Sequence, residues 1–69
     1  MSIQDKARVC AAALGVPVEV RKTNRMFVGE PVWSVRVKGR NVHEDPEGMV
    51  SIMLDCLLRD AREGWRPGW

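Results

Sequence analysis

One histidine, two cysteines and two closely spaced tryptophans carry the most distinctive side-chain chemistry in this 69-residue sequence. His43 is followed by Glu44 and Asp45, and an imidazole beside carboxylates can take up a proton as a general base. Those carboxylates fit the start of a helix better, because they face the positive end of its dipole. Cys10 and Cys56 both fall on apolar helix faces. Such surroundings raise the pKa of a thiol instead of activating it. In a reducing compartment both are expected to be buried and to pack as small hydrophobes. Two cysteines and one histidine at these spacings do not make a metal-ligand set. No phosphate-binding glycine loop, nucleophile elbow or metal motif occurs. The expectation is a protein that is not an enzyme, with no catalytic residue, no metal and no cofactor.

Charge is the next feature that could act. The net charge is only +2, but it is unevenly spread. Arg21, Lys22, Arg25, Arg36, Lys38 and Arg40 face a single acid, Glu30, between positions 21 and 40, which leaves that segment at +5 and the rest of the chain at −3. A basic surface of this kind either meets phosphates or an acidic protein face, or is simply a solvated sheet face. Aromatic residues sit near it in sequence or close the chain. Phe27 lies within Met26-Phe27-Val28, and Trp65 and Trp69 flank Arg66. Tryptophan is enriched at binding hot spots and can stack on unpaired bases. Trp65, one turn beyond an apolar run, is expected to pack over the end of the core. Trp69 is harder to bury. The candidate partner-binding residues are therefore Arg21, Lys22, Arg25, Phe27, Arg36, Lys38, Arg40 and Trp69.

The elements that position these residues follow from periodicity. Ser2 is a helix N-cap with Asp5 three residues on, and Ile3, Ala7, Cys10, Ala11 and Leu14 recur at helical spacing before Gly15. The spacing predicts a first helix over residues 3–14. The period then changes to two. Val16, Val18 and Val20 alternate with polar residues, and Trp33, Val35 and Val37 alternate with Ser34, Arg36 and Lys38. These are two strands of an antiparallel hairpin, with Glu19, Arg21, Ser34, Arg36 and Lys38 on the outward face. Met26-Phe27-Val28 forms either a short strand or the exposed tip of the hairpin. Residues 41–43 can add another short strand. A second helix is predicted with Asp45 as cap and Pro46 at its first position, an Asp55–Arg59 pair on its polar side, and its end at Gly64. Its apolar positions exceed the stripe needed to face one core. Either the helix lies centrally, or the surplus positions Met49, Ile52 and Cys56 serve self-association as a homodimer.

The predicted fold class is α+β: one domain spanning residues 1–69, a two-layer sandwich in the order helix–strand–strand–(short strand)–helix, with both helices on one face of an antiparallel sheet. A hydrophobic content of 45% and a charged content of 29% exclude a disordered chain. No apolar run of about 18 residues is present, so no membrane span or membrane partner is expected. No secretory signal is visible at the amino end, and a cytoplasmic location in a bacterial host cell is expected.

The element order, with Val32-Trp33-Ser34-Val35-Arg36-Val37 before a final apolar helix, resembles a double-stranded-RNA-binding domain. Members of that family carry a lysine-rich motif at the start of the last helix, where this chain has Glu44-Asp45-Pro46-Glu47, which repels phosphate. The small size, the absence of an enzyme motif, and the basic hairpin beside an apolar helix also resemble the short accessory proteins of bacteriophages and mobile elements, anti-CRISPR inhibitors among them. That resemblance implies a non-catalytic inhibitor that binds a bacterial protein complex. The alternative is a nucleic-acid-binding module that uses the basic hairpin face.

Overall fold

The computed structural model describes all 69 residues. It contains α1 (Ile3–Leu14), β1 (Val18–Phe27), β2 (Glu30–Val37), β3 (Arg40–Pro46) and α2 (Glu47–Arg62). The strands form one antiparallel sheet in the order β1-β2-β3. The helices pack together, α1 against β1 and α2 against β2 and β3. The fold is α+β, with no helix long and apolar enough to cross a membrane.

Helix α1 has the bounds that its local signals predict. The Ser2 hydroxyl accepts from the Asp5 backbone N–H at 3.2 Å, satisfying one of the free donors of the first turn. At the other end Gly15 takes φ 72° and its N–H donates to the Ala11 carbonyl, a left-handed cap that costs glycine little. Ile3, Ala7, Cys10 and Leu14 form the buried stripe. On α2 the buried stripe is Val50, Leu54, Leu57 and Ala61. Val18, Val35 and Val37 complete the core from the sheet, with Val20 and Trp33 half-buried beside them. Strand register places these side chains together, since Val18 lies opposite Val37 and Val20 opposite Val35, and directly opposed residues share a face.

Several local expectations change. The third strand is full length, and Asp45 is in its ladder opposite Trp33. Asp45 is therefore not a helix cap, and Pro46 ends the strand instead of opening the helix. Pro46 fits there because β3 is an edge strand and can spare one donor. The α2 N-terminus has no side-chain cap and keeps only Glu47 against its dipole. Asp55 pairs with Lys6 across the helix interface at 3.0 Å, not with Arg59, and Lys6 also donates to Ser51 at 2.7 Å. Burial of the lysine stem between two helices makes this a better partner than an exposed same-helix cation. Ser34 is on the outward face but is buried, donating to the Arg21 carbonyl at 3.4 Å. Cys10 is buried, whereas Cys56 is exposed, because it lies opposite the stripe that α2 turns inward.

Candidate functional site

The two hairpin turns are alike. Val28-Gly29 joins β1 to β2, and Lys38-Gly39 joins β2 to β3. Each has positive φ at both positions: 50° and 77° in the first, 53° and 82° in the second. This is the two-residue turn whose twist matches paired strands. It makes the β1–β2 hairpin continuous to its tip, with Met26 opposite Pro31 and Phe27 opposite Glu30. Met26 and Phe27 are thus both strand residues and part of an exposed tip. A register shift between Lys22 and Met26 marks an irregularity just before them, a feature that bends and twists a strand.

The tip carries an unusual amount of exposed apolar surface. Phe27 is 60% exposed and Val28 is 84% exposed. Next to them the start of α2 presents Met49 at 52% and Ile52 at 56%. Both are on the helix face opposite Val50 and Leu54. Phe27, Val28, Pro46, Met49 and Ile52 line one open groove of about 540 Å³, with Glu30 and Asp45 at its edge. A smaller hollow of about 220 Å³ lies on the other side of Phe27 and Pro46, lined also by Met26 and Val32. Residues expected to serve two purposes, Phe27 for a partner and Met49 and Ile52 for self-association, therefore belong to one surface. Cys56 lies outside that groove. Val28 belongs to the Met26-Phe27-Val28 segment that the sequence offers as an exposed tip, whereas Pro46, expected only to open the second helix, takes its place here from the proximity of the hairpin tip to α2.

The basic hairpin residues separate into two groups. Arg25 forms an ion pair with Glu44 on the outer sheet face, and Asn41 donates to the same carboxylate at 2.7 Å. Lys38 donates to the Trp69 carbonyl. Arg40 lies 5.0 Å above the Trp69 ring, within range of a cation–π contact. The Trp69 indole N–H donates to the Val37 carbonyl at 3.1 Å, so the final segment folds back onto the β2–β3 turn. Arg21, Lys22 and Arg36 are exposed. Arg21 and Arg36 share the outer face, and Lys22, opposite Trp33, lies on the other. The six cations thus do not form one continuous plate. Trp65 is exposed instead of closing the core. Gly64 at φ 100° turns the chain away, and Arg66 donates to the Ala61 carbonyl at 3.1 Å in its stead.

His43 Nε2 sits 2.8 Å from an Asp45 carboxylate oxygen, yet this buried nitrogen makes no hydrogen bond. The contact is electrostatic when the ring is protonated. The Cys10 thiol is pushed above its ordinary value near 9.0 by burial, with Asp55 adding to the effect and Lys6 opposing it. Its S–H donates to the Leu54 carbonyl at 3.3 Å, which suits a packing role. No three metal-ligating side chains converge anywhere. No known protein family matches this sequence, and neither a curated protein nor a solved structure is significantly similar to it.

Proposed function

We propose that this protein is a non-catalytic binding domain that acts through protein–protein contact, as a phage-type inhibitor of a bacterial defence complex in the host cytoplasm. The observation that carries the protein-binding part is the exposed apolar surface shared by Phe27, Val28, Met49 and Ile52. A domain this small has little apolar surface to spare from its core. Contiguous exposed apolar surface with a polar rim is characteristic of interaction sites. The resemblance to short phage accessory proteins narrows the partner to a defence complex. The experiment is capture from a bacterial lysate with the wild-type domain as bait and Phe27→Ala as control. Recovery of a defence complex by the wild type and its loss in the variant is expected. Equal recovery by both, or no specific protein, would refute the reading.

Nucleic-acid binding through the hairpin is the competing proposal, supported by exposed Arg21, Lys22 and Arg36. It is the weaker one, because Arg25, Lys38 and Arg40 are engaged within the fold. Such binding falls steeply with salt. No shift of DNA or RNA by the domain at low salt is the result that removes it. Self-association through α2 is a third proposal, which light scattering at high concentration tests against the monomer mass of 7.8 kDa.

A further inference from the structure

The apolar groove has an acidic rim although the protein as a whole is basic. Glu30 and Asp45 line the groove itself. Glu44 and Asp45 line the hollow beyond Phe27 and Pro46, where Arg25 neutralises Glu44. Glu47, next in chain to Pro46, is exposed on the first turn of α2. No cation lines the groove: its charged residues are Glu30 and Asp45, the latter with His43 Nε2 at 2.8 Å. The basic residues of α2, Arg59 and Arg62, lie in its last turn, and Lys38 and Arg40 lie at the β2–β3 turn with Trp69.

This polarity decides between occupants. A second copy related by a two-fold axis would set one groove against the other and bring together two surfaces that each carry Glu30 and Asp45 and no cation. Like charges facing each other across an interface oppose association. A copy that offered its basic end to the groove would make a head-to-tail contact, which does not close and grows into open chains. Neither is the natural match. A segment with apolar anchors on one side and Lys or Arg beside them matches both the floor and the rim. The concavities on either side of Phe27 and Pro46 offer places for two such anchors.

The backbone adds a second observation. Val28 holds φ 50°, a region that disfavours β-branched residues, while 84% of it remains in solvent. An apolar side chain is kept at a strained and exposed position where it lines the groove.

We propose that the groove formed by Phe27, Val28, Pro46, Met49 and Ile52 takes a basic amphipathic segment of the partner protein, its apolar side chains on the floor and its cations against Glu30 and Asp45. This rests on the protein-binding reading and specifies the chemistry of what is bound. Helix-in-groove recognition supplies the mode, with anchors at i, i+3 or i+4, and i+7.

The test uses three 16-residue probe peptides: leucines at that spacing on a lysine background, the same leucines on a glutamate background, and the lysine background with serines replacing the leucines. Binding is followed by titration of backbone amide and methyl resonances in the full chain. The Leu/Lys peptide is expected to shift Phe27, Val28, Met49 and Ile52, and to bind about ten-fold or more tightly than either other peptide. Ile52→Asp is expected to weaken it about ten-fold. Glu30→Gln with Asp45→Asn is expected to weaken it about three- to ten-fold, the range for losing two partly exposed charge pairs. Val28→Asn tests the same site with a residue that suits the turn, so a loss of binding cannot be ascribed to misfolding. Equal binding of the Leu/Lys and Leu/Glu peptides would overturn the charge assignment. Shifts confined to Arg21–Arg40 outside the tip, or a mass that grows with concentration and is abolished by Ile52→Asp, would overturn the occupant. If no peptide binds while Phe27-dependent capture from lysate persists, the basic-segment inference fails and the protein-binding reading stands. If both are absent, both fail.

Discussion

Replacing Val28 with asparagine is expected to make the protein more stable. Val28 is the first residue of the Val28-Gly29 turn, at φ 50°. A residue with a Cβ in the left-handed region loses about 1–2 kcal/mol relative to ordinary backbone, and a β-branched residue is among the worst placed there. Asparagine is enriched in that region and favoured at this position of the turn. The substitution removes little packing, because Val28 is 84% exposed and lies outside the core. The net gain is therefore about 1 kcal/mol. For a domain of 60–100 residues that raises Tm by about 4–8 °C. Thermal and urea unfolding followed by far-UV circular dichroism measure it. Lys38→Asn in the matching turn is the control. Lysine is unbranched, and its replacement loses the bond to the Trp69 carbonyl, so no comparable gain is expected. A Val28→Asn protein no more stable than wild type, with an unchanged spectrum, would refute the strain assigned to the tip. A stable variant that also binds the Leu/Lys peptide poorly would link the strain to recognition.

Four other outcomes follow from the packing. Leu54→Ala empties a site that is 0% exposed and is expected to cost about 3–4 kcal/mol, close to the whole stability of a domain this small; a urea midpoint within error of wild type would contradict the core assignment. Cys56 is expected to react with a thiol reagent in the native state and Cys10 only on unfolding, which reagent stoichiometry with and without urea measures; rapid native labelling of both would contradict the burial of Cys10. Because the Cys10 pKa is raised, the folded state holds this proton more firmly than the unfolded state; the associated stability is fully present below the ordinary thiol value near 9.0 and is lost as pH rises through the folded value. Cys10→Ala should flatten that alkaline limb in urea melts between pH 8 and 10. Trp69→Ala removes the bond to the Val37 carbonyl and the Arg40 contact, for an expected loss of about 1–2 kcal/mol; unchanged stability would mean that the final segment is not held against the β2–β3 turn.

The sequence by itself determined what depends on near neighbours. Ser2, Asp5 and Gly15 are enough to bound α1, since caps act within one turn. The alternation of Val18 and Val20, and of Trp33, Val35 and Val37, is enough to divide the hairpin into inner and outer faces, since that period is a property of the extended backbone. A surplus of apolar residues on α2 was also legible, and Met49, Ile52 and Cys56 are exposed. Tertiary structure alone decided the rest. Asp45 looked like a helix cap by its neighbours, but the ladder with Trp33 claimed it for β3. The charge count over residues 21–40 suggested one basic plate, but Glu44 and Trp69, distant in sequence, engage Arg25, Lys38 and Arg40. Phe27 and Ile52 are 25 positions apart, and periodicity says nothing about such a distance. They share a groove because the paired strands carry the tip to the start of α2, where the sheet and α1 leave the outer face of the helix uncovered.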